Sequence, residues 1–390
     1  MMTPHLPLSG LRVIELAGIG PGPFCGMMLA DHGAEVIRID RPGGVQAGVA
    51  IDAAKDVLLR SRRTMSIDLK CEAGVEVVKR LAVVSDGLFE GFRPGVAERL
   101  GLGPEDLLAL NPNLVFGRMT GWGQDGPYAG LPGHDINYVA ISGALNAIGR
   151  ADEAPVAPLN LLGDYGGGGL LLAFGMVSAM LAVRNGAKGQ VVDCAMTEGV
   201  SALMAGIWSL RANGRWEDQR GSNLLDGGAP YYDCYATQDG RYMAVGAIEE
   251  RFYRRLVSLL GFAEDPDFAR QEDRGHWPAM RLKLASRFAE RTQAEWSDLL
   301  AGDEVCVAPV MAMGEAPSHP QNLARRAFLE VEGVVQPRPA PRFGSGACKQ
   351  PQMWREDNAT AALLREIGYG RGEIERLRAA GAFGSLEAVT

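Results

Sequence analysis

Short β-branched runs alternate with helical stretches through the first two hundred residues. Leu11 to Leu16 (LRVIEL) and Glu35 to Ile39 (EVIRI) read as strands, and Phe24 to Asp31 (FCGMMLAD) between them has helical composition, which makes a β-α-β unit. The alternation continues with a helix over Gly74 to Val84, strands over Gly87 to Glu90 and Leu114 to Met119, and helices around Ile136 to Ala147 and Gly169 to Arg184. This order predicts a wound α/β domain whose parallel sheet is covered on both faces. The polar, Arg-rich stretch Arg211 to Gly228 breaks the pattern and predicts a linker. Beyond it, a strand over Tyr242 to Ala247 and amphipathic helices near Phe252 to Leu260 and Met280 to Glu290 predict a smaller α+β unit. The run VQPRPAPRFGSG from Val335 to Gly346 reads as a second linker, followed by a helical tail to about Ala380. The expected domains are therefore 1–200, a linker over 201–228, a small α+β domain over 229–325, and a linker with C-terminal segment over 326–390.

Composition narrows the function classes. With 39 basic and 47 acidic side chains among 390 residues, the net charge of −8 argues against nucleic acid as the main partner, because phosphate binding wants a basic surface. Cys25, Cys71, Cys194, Cys234, Cys306 and Cys348 are scattered without metal-ligand spacing, so reduced thiols and no metal site are expected. The N-terminus lacks a secretory pattern, the last three residues are no peroxisomal address, and the apolar segment Leu170 to Val183 is only about 14 residues, short of the ~18 to 20 that cross a bilayer. A cytoplasmic protein without a membrane partner is the expectation.

Three groups of residues could carry chemistry. The turn AGIGPGPFCG after the first strand invites comparison with the dinucleotide motif G-x-G-x-x-G, but its last position falls on Pro23 or Cys25, which demotes a nicotinamide enzyme. Arg41, Arg60, Arg62, Arg63, Lys70, Arg93 and Arg99 stand out in an acidic chain and could hold phosphates, the guanidinium groups bidentately, with Arg93 best placed at a strand end before a Pro-Gly turn. Finally, Gly133-His134-Asp135 and Leu161-Leu162-Gly163-Asp164-Tyr165 with Gly166 to Gly169 lie in loops that open helices. His134 stands next to an acid at a loop-to-helix junction, surroundings that the other four histidines lack, whereas Asp164 equally suits an N-cap. Four consecutive glycines cost helix stability, and close approach of a ligand accounts for them better than capping; a helix start there could also face a developing oxyanion. Glu249 and Glu250 after AVGAI suit a helix start by charge alone.

Across PLSGLRVIELAGIGPGPF, AEVIRIDRP, EGFRPGVAERLGLGPEDL, RMTGWGQDGPYA, GHDINYVAISGALNAIGR, PLNLLGDYGGGG, DGGAPYYDCYATQDGRY, VGAIEERFY, PVMAMGEAPSHP and PAPRF, the chain resembles the family III CoA-transferases (CaiB/BaiF), and within them the racemase branch. The resemblance implies a large Rossmann-like domain with a parallel sheet, completed by the C-terminal segment, a small α+β domain, and an interlocked homodimer whose sites form between subunits. It implies His134 and Asp164 as the acid/base pair and Glu249 as support for the imidazole. The CoA contacts it implies are Arg41, Ile67, Asp68, Leu69, Lys70, Gly91, Phe92, Arg93, Arg99, Gly133, Asp135, Ile136, Asn137 and Tyr138.

The implied reaction is inversion of the 2-methyl centre of an acyl-CoA thioester. It needs two groups facing each other across a planar enolate, since one base alone usually returns the proton to the same face. Backbone N–H groups near Asp164 are the expected enolate donors. No cofactor is expected, CoA being part of the substrate. Two alternatives stay open: a CoA-transferase in which Asp164 attacks the thioester and forms covalent intermediates, and a noncatalytic acyl-CoA-binding protein, which would keep the CoA contacts but has no use for the acid/base pair.

Overall fold

The computed structural model describes residues 5–43, 51–344, 350–356 and 359–383. Six parallel strands, β1 (Arg12–Leu16), β2 (Glu35–Asp40), β3 (Arg63–Ser66), β4 (Gly87–Glu90), β5 (Val115–Thr120) and β6 (Val191–Ala195), form one sheet in the order β3-β2-β1-β4-β5-β6. In register, Ile14 stands beside Ile37 on one side and Leu88 on the other. The alternation of side chains explains the apolar runs: Val13, Val36, Phe89 and Val115 enter one core, Ile14, Ile37, Leu88 and Phe116 the other. Helices Pro21–Asp31 and Leu171–Arg184 cover the first face. Helices Glu72–Val83 and Pro104–Leu110 cover the second, together with Thr360–Glu366 and Arg371–Ala379 from the C-terminal segment. That segment adds helices and no strand to the sheet among the described residues: Ala359 N–H donates to Thr64 C=O, and Asp68 N–H to Ala382 C=O.

The chain divides into two compact units, Met1–Ser142 with Leu159–Leu203 and Arg326–Thr390, and Gly143–Pro158 with Met204–Arg325. The second unit is built on an antiparallel sheet of β7 (Tyr232–Ala236), β8 (Tyr242–Gly246) and β9 (Val307–Pro309). Its core gathers Tyr235, Met243 and Val245 from the sheet with Leu256, Met280, Phe288 and Trp296 from helices Glu250–Leu259, Trp277–Phe288 and Gln293–Leu300.

Three sequence expectations differ from the structure. The 201–228 stretch is not a bare linker: helix Met196–Leu203 runs into it and Ala205–Ala212 lies within it. Its polar remainder is an ordered turn in which buried Asn223 donates to the Glu217 carbonyl and to Asp226. Of the 335–346 run, Val335 to Pro337 belong to a hairpin strand, β11 (Val334–Pro337), paired with β10 (Phe328–Val331); its end and Cys348 lie outside the described residues. The third is the helix expected from Gly169, which instead forms one 24-residue helical span, Leu161–Arg184, long and apolar enough by length and composition to cross a membrane. One side of it packs against β5 and β6, while Phe174 and Leu181 stand exposed.

Candidate active site

The sheet order reverses at β1, whose neighbours β2 and β4 are followed by connections running to opposite sides; ligands of open α/β sheets bind in the crevice at the strands' carboxyl ends there. A cavity of about 400 Å³ opens at this place, walled by the Gly18–Gly22 turn after β1, Gly91 to Pro94 after β4, and Gly121 and Trp122 after β5. Both His134 and Asp164 line it.

His134 is the residue before helix Asp135–Ile141, with extended backbone at φ −130°. Its N–H donates to Asn137 Oδ1 at 3.0 Å, so Asn137 closes the helix start instead of offering its side-chain oxygen to a ligand. Tyr138, one turn on, is buried; its hydroxyl donates to Gly133 C=O at 2.5 Å and its ring meets Trp122 edge-on at 4.7 Å. The loop carrying His134 is thereby fixed from both ends, and the imidazole itself stands exposed.

Asp164 comes from the first turn of a wide, π-helical stretch, Leu161–Leu170, which leads directly into Leu171–Arg184. π-Helical turns are rare and often occur at functional sites. The glycines make this one possible by packing, which corrects the expectation of a ligand approaching them. A methyl group on Gly167 would stand 2.6 Å from Val200 N, and one on Gly169 2.4 Å from Pro21 O, so the run lets three segments of chain meet. The Asp164 side chain lies over Gly20, whose φ of 66° suits glycine and where an added methyl would come within 2.9 Å of Asp164 Oδ2. Asn160 Nδ2 donates to that same Oδ2 at 3.1 Å, while Asp164 N–H donates to Asp135 Oδ1 at 2.6 Å. Burial pushes the Asp164 carboxyl above its ordinary range, with the Asp135 charge adding to the rise and Asn160 and His134 opposing it.

The Asp135 bond has a consequence for the expected enolate donors. Asp164 N–H is already committed and cannot face an oxyanion. The N–H groups of Asp135 and Ile136, at the start of the helix after His134, have no protein acceptor among the described residues.

Of the residues implied to touch CoA, Gly91, Phe92, Arg93, Gly133 and Tyr138 line the cavity. Arg93 and Arg99 are exposed near the turn after β4, and Lys70 and Ile136 are also exposed. Arg41 instead lines a separate cavity of about 180 Å³ with Asp40, Ser66 and Trp354. Ile67 is a correction: its side chain is fully buried in the core and its N–H donates to Asp40 C=O, leaving no side-chain surface for a ligand. Leu69 packs against the same core, Asp68 Oδ1 accepts from Lys70 N–H, and Asp135 is turned inward onto Asp164. Glu249 belongs to the second unit, at the N-terminus of helix Glu250–Leu259, and does not line this cavity.

Arg60, Arg62 and Arg63 are a second correction. They are structural: Arg60 pairs with Asp31, Arg62 with Glu15, and Arg63 with Glu35 and Glu366. Asn160 and Trp122 are the site residues that sequence reasoning passed over. For Asn160 the signal was its spacing, four residues before Asp164 in a helical run. Among the described residues no group of three or more His, Cys, Asp or Glu side chains could hold a metal ion.

The sequence model described as CoA-transferase family III matches residues 8–357. An alpha-methylacyl-CoA racemase of Mus musculus is 44% identical over 374 residues, spanning 95% of this chain and 96% of the relative, and that of Homo sapiens is 44% identical over 376 residues with the same coverage. A succinyl-CoA--D-citramalate CoA-transferase of Chloroflexus aurantiacus is 33% identical over 344 residues, 84% of each chain. Among solved structures, a CAIB/BAIF family protein from Brucella suis superposes with a TM-score of 0.81 at 26% identity, covering 93% of this chain and 100% of that one.

Proposed function

The chain belongs to CoA-transferase family III, and from that premise we propose that it is an isomerase, inverting the 2-position of 2-methylacyl-CoA thioesters by moving a proton off one face and onto the other. The observation that carries this reading is the convergence of His134 and Asp164 on one cavity at the sheet's switch point.

The chemistry follows from the two groups. A neutral His134 removes the α-proton, the electron pair passes into the thioester enolate, and a protonated Asp164 delivers its proton to the opposite face; the roles exchange for the other epimer. A half-buried carboxyl whose proton affinity is raised by its surroundings is suited to being an acid as well as a base. The enolate oxygen falls to the first N–H groups of the helix that starts at His134. Proton transfer alone makes the product, so the reaction calls for no redox or metal chemistry.

CoA would run past Gly91, Phe92 and Arg93, with Arg41, Lys70 and Arg99 as exposed cations for its phosphates. We assign Glu249 to the imidazole of His134 in the assembled enzyme. An interlocked homodimer is supported by apolar side chains left in solvent on helix Leu171–Arg184, where Phe174 is 70% and Leu181 58% exposed. The second reading, CoA transfer through acyl-Asp164 intermediates, rests on the more distant transferase relatives and has no use for His134.

One epimer of a 2-methylacyl-CoA in heavy water, with and without a free carboxylic acid, separates the readings. Deuterium at C2 with scrambled configuration is expected from the wild type. His134→Ala should lower exchange by at least about 10²-fold with CoA affinity retained. CoA appearing on the added acid without exchange would replace the isomerase by the transferase.

A further inference from the structure

We propose that Asn160 is a positioning residue that decides which oxygen of Asp164 carries the proton, confining both the acid and the base role to Oδ1. The inference rests on the isomerase reading and adds a residue to it.

Asn160 immediately precedes the π-helical stretch, with backbone angles of −104° and 30°, and sits four residues before Asp164, so the two side chains share one side of the turn. Its Nδ2 donates to Asp164 Oδ2 at 3.1 Å, the orientation that suits an ionised carboxylate. The same Oδ2 is backed by the Gly20 turn, where even a methyl group would come within 2.9 Å. Oδ2 is therefore the hydrogen-bonded oxygen and the nearer of the two to the Gly20 turn, whereas Oδ1, 3.4 Å from the same methyl position, takes no protein hydrogen bond among the described residues. Protonation of Oδ2 would turn the acceptor of the Asn160 N–H into a hydroxyl oxygen, a weaker acceptor than the carbonyl oxygen, so the proton resides on Oδ1.

Each half-reaction then balances at that atom. As base, Asp164 Oδ1 forms an O–H bond while the α C–H bond breaks and its electron pair enters the enolate. As acid, the Oδ1–H bond breaks, the α C–H bond forms from the enolate pair, and the carboxylate left behind is stabilised through Oδ2 by the Asn160 amide. Asp135 works in the opposite sense. Its carboxylate accepts the Asp164 N–H and places negative charge beside the site, with its second oxygen buried and unpartnered. An amide favouring the ionised form and a carboxylate disfavouring it keep both states of Asp164 within reach.

The test is the pH profile of C2 deuterium exchange for wild type, Asn160→Ala and Asn160→Asp assayed together. Loss of one hydrogen bond to a charged group predicts exchange about tenfold slower in Asn160→Ala, with the acid limb moved to higher pH because ionised Asp164 has lost its donor. In the isosteric Asn160→Asp, the introduced carboxyl opposes ionisation when charged and donates when protonated. That variant should be slower than Asn160→Ala at neutral pH and close the gap as pH falls. It keeps the side-chain volume, so it remains informative even where the alanine variant folds poorly. Both profiles superimposable on the wild type, or a uniform loss that pH does not modulate, would overturn the role of Asn160 while leaving the isomerase reading intact. A wild type without exchange would overturn both.

Discussion

Glu15 and Asp164 are both removed from water in the same compact unit, yet their surroundings are opposite. Glu15 is fully buried and held by two guanidinium groups, Arg38 Nη1 at 2.5 Å and Arg62 Nε at 3.1 Å. Arg62 in turn donates to the Pro23 and Arg60 carbonyls, so the charges and hydrogen-bond donors are matched within the core. Asp164 is half-buried, holds one amide and one backbone link, and has no Lys or Arg within ion-pair distance among the described residues. Matched charge fixes a protonation state; unmatched burial leaves one that can change. The first arrangement builds the unit, and the second does chemistry in it.

Replacing each carboxyl by its amide breaks the comparison at its two ends. Asp164→Asn removes one proton-transfer group and should slow exchange by about 10³-fold, while thermal stability at pH 8 is unchanged or higher because a half-buried carboxylate disfavoured by desolvation is gone. Glu15→Gln should do the reverse. It removes the carboxylate that Arg38 and Arg62 share, leaving Asp40 as the remaining carboxylate on Arg38, and should cost about 3 kcal/mol in urea titrations, with exchange per folded molecule within a few-fold of wild type. If Asp164→Asn proves the unfolding variant and Glu15→Gln the inactive one, the division between structural and chemical carboxyls is wrong.

The two carboxyls also show what a sequence discloses. The parallel strands were readable because a sheet covered on both faces needs continuous apolar runs, and LRVIEL and EVIRI supply them around the buried Glu15 and Arg38. His134 and Asp164 stood out through their motifs and the resemblance these carry. The roles of Arg60, Arg62 and Arg63 did not, because each is settled by partners far along the chain. Arg60 Nη1 donates to Gln336 Oε1, 276 positions away, and Arg63 to Glu366, 303 away. The glycine run was readable as unusual, but its cause, contact with Pro21 and Val200, is tertiary and has no local signature. Asn160 carried a spacing signal that means little until Asp164 is known to be half-buried.

Glu90 falls between the two extremes and sharpens the contrast quantitatively. It ends β4, is 1% exposed, and its Oε2 accepts Phe92 N–H at 2.5 Å, holding the turn that lines the cavity. Its one cation is shared: Arg118 Nε lies 3.3 Å from Glu90 Oε1 without a hydrogen bond, while Arg118 Nη1 bonds Glu98 at 2.8 Å. Burial outweighs these contacts and pushes the Glu90 carboxyl up to about 7. A carboxyl that holds its proton more tightly folded than unfolded supports the fold most fully below its ordinary range near 4.5, and that support is lost as pH rises through 7. At ~1.4 kcal/mol per pH unit the window is worth about 3 kcal/mol. Stability from denaturant titrations between pH 4.5 and 8 should therefore fall in wild type relative to Glu90→Gln, whose amide oxygen still accepts from Phe92. Parallel curves for the two proteins would mean that Arg118 neutralises Glu90 as fully as Arg38 and Arg62 neutralise Glu15, and the graded series from matched to unmatched carboxyls would lose its middle member.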